Sequence, residues 1–133
     1  MRTLTIGQLA STAKVNVQTV RYYERRGLLL DAPRRESGYR EYPQDTAVRI
    51  EFIKRAQALG FSLAEISELL EMRAGSDATC GDVKKRAEAK VASIEEKIRD
   101  LQRMKETLAD LISACEGRGS TSECPILDAL SRP

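Results

Sequence analysis

Three cysteines, at positions 80, 115 and 124, are the residues of this 133-residue chain whose type and spacing could do chemistry. A long polar helix pattern runs from Cys80 to Cys115, and these two thiols lie 35 residues, or five heptads, apart. Cys124 follows nine residues later, beyond a loop rich in Gly, Ser and Thr, close enough to fold back onto the helix end. Three soft thiolate donors favour soft metal ions over the hard or borderline ions of the cytoplasm.

The apolar pattern of the long helix predicts how these thiols could meet. Small or apolar residues recur mostly three or four apart, as in a coiled coil: Val83, Ala87, Val91, Ile94, Ile98, Leu101, Leu108, Leu111 and Ile112. At about 1.5 Å per residue, one helix holds Cys80 and Cys115 roughly 50 Å apart, too far for one metal ion. An antiparallel homodimer brings the start of one helix beside the end of the other. We therefore expect two composite three-thiol sites, one at each end of a dimer.

Other interpretations of the cysteines stay open. They could be small buried side chains on a coiled-coil seam, or Cys115 and Cys124 could form a redox-sensing disulfide. Zinc prefers four ligands in a closed tetrahedron, and three thiols without a fourth protein ligand do not supply them. The chain has no His, and therefore lacks the ordinary catalytic base. No nucleophile and base are paired either, so we do not expect a thiol enzyme.

The charge distribution predicts a nucleic-acid partner for the first half of the chain. Residues 1–62 carry 11 Lys and Arg against 6 Asp and Glu, a net +5, whereas residues 63–133 carry 11 against 14, a net −3. A basic half is the candidate for phosphate contact. The chain has no run of about 18 apolar residues and no apolar signal segment, so we expect a cytoplasmic protein that does not enter a membrane.

Two short helices joined by a tight turn are expected near the N-terminus. Thr5 starts the first helix, and Asn16 is a good N-cap for the second, which runs from Val17 to Arg26 and ends at Gly27. The spacing is typical of a helix-turn-helix, although an ordinary αα-hairpin has the same spacing. The segment from residue 28 to 42 then predicts a basic hairpin placed like a wing, or else a solvated surface loop.

Further helices are expected beyond the hairpin. Asp45 is near the start of a third helix, which Gly60 stops, and whose predicted apolar stripe consists of Val48, Phe52, Ile53, Ala56 and Leu59. Ser62 with Glu65 forms a capping box for a fourth helix, whose predicted buried face consists of Leu63, Ile66, Leu69 and Leu70. We assign these two helices no chemistry beyond a possible phosphate contact from Lys54 or Arg55. Thr79 and Asp82 are predicted to cap the start of the long helix. Pro125 is well suited to the first position of a short last helix.

These segments resemble the MerR family of bacterial transcription regulators over nearly the whole chain. The family's helix-turn-helix is similar to TIGQLASTAKVNVQTVRYYERRGLL, and its wing and second helix pair are similar to GYREYPQDTAVRIEFIKRAQALGFSLAEISELL. The three cysteines, with ECPI around the last, further resemble the mercury-sensing members. Lead- and cadmium-sensing relatives share a similar three-thiol spacing, so a sensor of another thiophilic metal stays an alternative, as does a thiol redox sensor.

The resemblance implies a mainly α fold in three parts. A winged helix-turn-helix DNA-binding domain is expected over residues 1–75, followed by a long antiparallel coiled-coil dimerisation helix over residues 79–116. A metal-binding loop with a short C-terminal helix is expected over residues 117–133.

The resemblance also implies a function. Such a protein represses mercury-resistance genes without metal and activates them when mercury(II) binds the thiolates of Cys80, Cys115 and Cys124, shared between protomers. The helix from Val17 is then expected to enter the major groove of double-stranded promoter DNA. The expected contacts are base edges for Gln18 and Thr19, and phosphates for Arg21, Tyr22, Tyr39 and Arg40. In the family, the metal-bound regulator bends and untwists the promoter so that its widely spaced elements are realigned for RNA polymerase.

Overall fold

The computed structural model describes residues 3–29, 38, 40–75 and 77–133, and confirms the mainly α prediction. Two compact units divide the chain, residues 1–86 and residues 87–133. The elements, in chain order, are β1 (Thr3–Leu4), α1 (Ile6–Ala13), α2 (Val17–Arg25), β2 (Tyr42–Pro43), α3 (Asp45–Ala58), α4 (Leu63–Arg73), α5 (Cys80–Ser113) and α6 (Pro125–Leu130).

Local side-chain caps start the helices where the residue types predicted. Thr5 and Gln8 form a capping box at α1, in which each side chain accepts a hydrogen bond from the other residue's backbone N–H, over 3.2 Å and 2.9 Å. At α2, Asn16 Oδ1 accepts from the Thr19 backbone N–H over 2.7 Å. A second capping box at Ser62 starts α4. These bonds satisfy backbone donors that the first turn of a helix leaves without a partner.

The core of the first unit is made of side chains from α1 to α4 and from the segments around β2. β1 and β2 pair in antiparallel register, Thr3 with Pro43 and Leu4 with Tyr42. Sequence analysis did not predict β1, because two residues are too few to show a strand period. The buried core residues are Leu9, Ala10, Ala13, Val20, Tyr23, Leu28, Leu29, Tyr42, Ala47, Ile50, Ile53, Ala56, Ile66 and Leu70.

The predicted apolar stripe of α3 is partly wrong. Val48 and Leu59 are 53% and 66% exposed, whereas Ala47, Ile50, Ile53 and Ala56 are buried. At about 100° per residue, Val48 and Leu59 lie on nearly the same side of the helix, on a different face from Ile50 and Ile53. Side-chain apolarity favours Val48 over the smaller Ala47, but the neighbouring elements cover the side of α3 that carries Ala47.

The long helix α5 buries none of its 34 residues within one chain. Thr79 and Asp82 cap its start as predicted, since each side chain accepts from the other's backbone N–H, over 3.2 Å and 2.9 Å. Eight large apolar side chains on this helix, which we call the α5 stripe, are between 39% and 63% exposed. They are Val83, Val91, Ile94, Ile98, Leu101, Met104, Leu108 and Ile112. Within the described ranges, α5 and the other helices are all too short or too polar to cross a membrane.

Candidate nucleic-acid interface and thiolate site

The helix α2 turns a polar face outward because its apolar residues are used by the core. Val20 and Tyr23 are buried, which leaves Gln18, Arg21 and Tyr22 exposed on the other side of the helix. This arrangement brings three of the six side chains predicted to contact DNA onto one accessible surface. Their exposure meets the first geometric requirement for contact with a groove or a phosphate backbone.

Thr19 is half-buried, and its hydroxyl is already engaged at the start of α2. The hydroxyl donates to Asn16 Oδ1 over 2.8 Å, and the same oxygen accepts from the Thr19 backbone N–H. With its proton committed to Asn16, the hydroxyl oxygen is left to act as an acceptor. We therefore expect the Thr19 hydroxyl oxygen to accept a hydrogen bond from a base, for example from the exocyclic amine of adenine or cytosine.

Two guanidinium groups lie close to the ring of Tyr22 on the exposed side of α2. The Cζ atoms of Arg25 and Arg26 lie 6.0 Å and 5.9 Å from the centre of its ring. Contacts of this kind are weakly attractive at an exposed site. Together with Arg21, they concentrate positive charge beside Tyr22, where a phosphate would be attracted.

Two buried tyrosines link α2 to neighbouring elements on the side opposite its exposed face. The Tyr23 hydroxyl donates to Gln57 Oε1 of α3 over 2.7 Å, and the Tyr42 hydroxyl donates to Glu24 of α2. Burial raises the pKa of Tyr23, and burial together with the hydrogen bond to Glu24 raises the pKa of Tyr42 to about 12. Both phenols therefore keep their protons and act as donors at neutral pH.

Arg40, predicted to contact a phosphate, forms an ion pair with Glu24 within the same chain. The Arg40 side chain is 37% exposed and that of Glu24 only 12%. A guanidinium has five N–H donors, so the pair leaves capacity for a further contact. Tyr39, the other predicted wing residue, lies outside the described residues.

Lys54 has a structural partner that the sequence did not reveal. Its ammonium group donates to the backbone carbonyls of Ala13 and Lys14, each over 3.2 Å, at the C-terminal end of α1. Cations are favoured at this end of a helix, where carbonyl groups lack partners. Arg55, the other residue considered for a phosphate contact, is exposed.

Two of the three candidate metal ligands lie together in the second unit. Cys115 and Cys124 both line an open cavity of about 360 Å³, formed by the loop that joins α5 to α6. Both residues are half-buried. Cys115 Sγ accepts a hydrogen bond from the Gly117 backbone N–H over 3.4 Å, and Gly117 has a φ of +77°, which few other residues adopt.

The loop between these thiols is closed by its own hydrogen bonds. Residues 121–123 form a single 3₁₀ turn, and the Ser120 and Ser122 hydroxyl oxygens lie 2.6 Å apart. Cys124 is the N-cap of α6, with Pro125 in the first turn as predicted. Proline suits this position because its missing N–H has no helical partner to lose. Local structure in the loop therefore places Cys124 at the start of α6.

Cys80 occupies the first turn of α5 and is exposed. Across the part of the chain that the structure describes, no three Cys, Asp or Glu side chains within one chain come together in a group that could hold a metal ion. The three-thiolate site shared between protomers therefore stays a prediction. The donor chemistry fits a soft metal, because two half-buried cysteines line one cavity and a third cysteine is exposed in the first turn of α5.

Glu24 is the functional candidate that sequence analysis missed. Its partners Arg40 and Tyr42 follow 16 and 18 residues later in the chain, so no local pattern links them. A signal was present nonetheless, because Glu24 is the single carboxylate of α2, among Arg21, Arg25 and the adjoining Arg26. A partly buried carboxylate in such a helix requires a partner.

Comparison with known proteins gives two family matches and several close relatives. The family described as MerR HTH family regulatory protein matches residues 4–73, and the family described as MerR, DNA binding matches residues 47–111. A mercuric resistance operon regulatory protein from Bacillus cereus is 43% identical over 127 residues, covering 96% of this chain and 96% of the relative.

Two solved structures extend the comparison to the whole chain. The transcription regulator PbrR691 from Ralstonia metallidurans, in complex with lead(II), superposes with a TM-score of 0.83 at 37% identity, covering 98% of this chain and 99% of that one. The regulator MerR from Bacillus megaterium, in complex with mercury(II), gives a TM-score of 0.72 at 41% identity, covering 97% and 100%.

Proposed function

Because the chain belongs to the MerR family of helix-turn-helix regulators, we propose that it is a transcriptional regulator controlled by mercury(II). It represses mercury-resistance genes without metal and activates them with metal bound. The observation that carries this proposal is the cavity beyond α5, which Cys115 and Cys124 both line. Relatives that are mercuric resistance regulators support the choice of effector.

The proposed site contains three thiolates from two chains. Cys115 and Cys124 of one protomer bind the metal together with Cys80 of the partner subunit. The exposed α5 stripe supports a second copy of the helix as the missing partner, since an apolar stripe on a polar helix is a dimerisation surface. Antiparallel pairing brings the two ends of the helix together and gives two sites per dimer.

Lead(II) is the second candidate effector. The lead-bound PbrR691 superposes with the higher TM-score, whereas the mercury-bound regulator has the higher sequence identity. Both ions are large and thiophilic, so the donor atoms alone do not separate them. Zinc is disfavoured because it prefers a fourth ligand, and the chain has no His to supply one.

DNA recognition is proposed to use the exposed face of α2. Gln18 and Thr19 contact base edges in the major groove, while Arg21, Tyr22, Tyr39 and Arg40 contact phosphates. Each protomer contributes its first unit, residues 1–86, which we call the head. The two heads of a homodimer bind a palindromic site. Metal binding then changes how the heads hold the promoter, so that bending and untwisting of the DNA allow RNA polymerase to engage it.

A promoter-reporter series tests the effector. Cells carrying the protein and its promoter are exposed to mercury, lead, cadmium and zinc salts, with a Cys124→Ser variant as control. We expect mercury to induce at a far lower concentration than zinc, and the Cys124→Ser variant to respond to none of the four. A response to lead alone would transfer the assignment to lead(II). An equal response to zinc would contradict the three-thiolate site, and induction by peroxide without metal would favour a Cys115–Cys124 redox switch.

A further inference from the structure

The Glu24 carboxylate ties the candidate recognition helix to the segment that enters β2. Its Oε2 atom accepts from Arg40 Nη1, and its Oε1 atom accepts from the Tyr42 hydroxyl. Both oxygens of one side chain on α2 are therefore used by a segment 16 to 18 residues further along the chain. The Glu24 side chain is only 12% exposed, so these bonds are partly shielded from water.

On the other side of this contact, Tyr42 is buried in the core. Tyr42 is 1% exposed, and it pairs with Leu4 in the two-stranded sheet. Arg49 of α3 adds a further tie, because its Nε donates to the Leu28 carbonyl, just past α2, over 2.6 Å. A carboxylate held between a buried phenol and a guanidinium has little freedom to move. Glu24 therefore adds a direct polar contact between α2 and residues 40–42 to the core packing of Val20, Tyr23 and Tyr42.

The same contact changes the charge of the surface. Arg21, Arg25 and Arg26 are exposed on α2. An unpaired carboxylate among these arginines would repel the DNA phosphates. An unpaired Arg40 would attract the phosphates of any DNA, whatever its base sequence. The ion pair weakens both effects at once. Arg40 then contributes less to sequence-independent affinity than its charge suggests.

We propose that Glu24 is a positioning residue that determines how well the protein discriminates its operator from other DNA. It ties residues 40–42 to α2, and it offsets part of the charge of Arg40. Specific binding then depends on the fixed geometry of the head more than on phosphate attraction. This proposal rests on the DNA-binding mode proposed above, in which α2 enters the major groove.

The test measures binding of the full-length protein to two duplexes across a range of salt concentrations. The specific duplex is selected by the wild-type protein from a random pool, and the non-specific duplex is a scrambled version of it. Glu24→Gln keeps the shape of the side chain but removes its charge. The matched control is Glu71→Gln on α4, which makes the same charge change at an exposed position.

For Glu24→Gln we expect tighter binding to the scrambled duplex, with a log–log salt slope steeper by about one unit because Arg40 is released. The ratio of specific to non-specific affinity should fall by about tenfold. Glu71→Gln should leave the ratio within twofold of wild type. Arg40→Ala should weaken specific binding and make the slope shallower by clearly less than one unit, because Glu24 already offsets part of the charge with which Arg40 contacts phosphate, whereas an unpaired Arg at a phosphate predicts about one unit.

A Glu24→Gln variant that matches Glu71→Gln in both ratio and slope would overturn the proposal. If Glu24→Gln fails to fold, Tyr42→Phe replaces it, because this change keeps the charges and releases only one oxygen of Glu24. Tyr42→Phe should lower the ratio about threefold at unchanged slope, and an unchanged ratio would overturn the role of Glu24. A wild-type protein that selects no sequence at all would overturn the DNA-binding mode as well.

Discussion

The two compact units differ in how far a single chain buries their apolar side chains and pairs their polar groups. In the first unit, α1 to α4 surround a core of buried aliphatic and aromatic side chains, and the polar groups of Glu24, Tyr42 and Lys54 find partners within the same chain. In the second unit, residues 87–113 bury no side chain, and the large apolar residues of the α5 stripe are at least 39% exposed.

This difference shows that the two units have separate structural requirements. The first unit, residues 1–86, fixes the exposed face of α2 with contacts inside its own chain. The second unit, residues 87–133, places Cys115 and Cys124 beside one cavity, but the long helix α5 buries none of its side chains in one chain. Most helical stability in proteins comes from packing of an apolar face. Four predictions test this contrast, and they begin with the largest expected effect.

Leu101→Asp should abolish the dimer while the head stays folded. Each Leu101 buried in a dimer is worth about 2 kcal/mol and is present twice, so the dissociation constant should rise by at least ~100-fold. Sedimentation measures the oligomeric state, with Ala92→Asp on the same helix but off the stripe as control. A Leu101→Asp protein that remains dimeric would show that the α5 stripe is not the interface.

Mixed dimers should reveal whether the thiols of one site come from two chains. Cys80→Ser and Cys115→Ser homodimers each lack any intact site, whereas their heterodimer regains one complete site. Metal stoichiometry on the purified heterodimer should therefore rise from none to one tightly bound ion per dimer.

A heterodimer of Cys115→Ser with Cys124→Ser is the matched control for this experiment. In the shared-site arrangement, Cys115 and Cys124 of one site come from the same chain. Each site of this heterodimer therefore lacks one of these two thiols, and no recovery of metal binding is expected. Equal failure of the two heterodimers, with both folded and bound to DNA, would rule out sites shared between protomers.

Lys54→Met should destabilise the head by about 1–2 kcal/mol, because two carbonyls at the end of α1 lose a charged donor. Arg55→Met, at the exposed neighbouring position, should change the free energy of unfolding by less than about 0.5 kcal/mol. Urea denaturation at one fixed protein concentration measures both variants. Equal losses from the two substitutions would show that the bonds made by Lys54 add nothing to the head.

The smallest effect is expected from the pH dependence of Tyr42. Its pKa is about 12 in the folded protein against an ordinary value of 10.0, so the neutral phenol contributes full stability below pH 10. That contribution is lost as the pH rises toward 12, because the unfolded chain ionises first. Relative to Tyr42→Phe, the wild type should lose about 1 kcal/mol between pH 9 and pH 11. A constant difference over this range would contradict the shifted pKa.

Helix boundaries were predictable because their causes are local. Asn16, Ser62 and Thr79 each bond to a backbone N–H three residues away, so residue type and spacing were sufficient. The position of Cys124 before Pro125 was predictable for the same reason.

Contacts between elements that are distant in sequence were hard to predict, because no local pattern indicates them. Lys54 bonds to residues 40 and 41 positions earlier, and Arg40 to Glu24 across 16 positions. The buried face of α3 was predicted correctly at Ile53 and Ala56 but not at Val48 and Leu59, because packing of neighbouring elements, rather than side-chain apolarity, decides which side of a helix is covered. The shared thiolate site is predicted from spacing and from resemblance, since its partner is a second chain.

The exposed stripe of α5 also bears on how long the protein survives in a cell. A helix that buries nothing opens easily, and an opened backbone with apolar side chains is a good substrate for degradation. We therefore expect unpaired chains to be removed quickly and paired chains to persist. Pulse-chase turnover of Leu101→Asp should be several-fold faster than that of wild type. Abundance would then be set by pairing, so that the surviving pool of regulator consists of complete dimers.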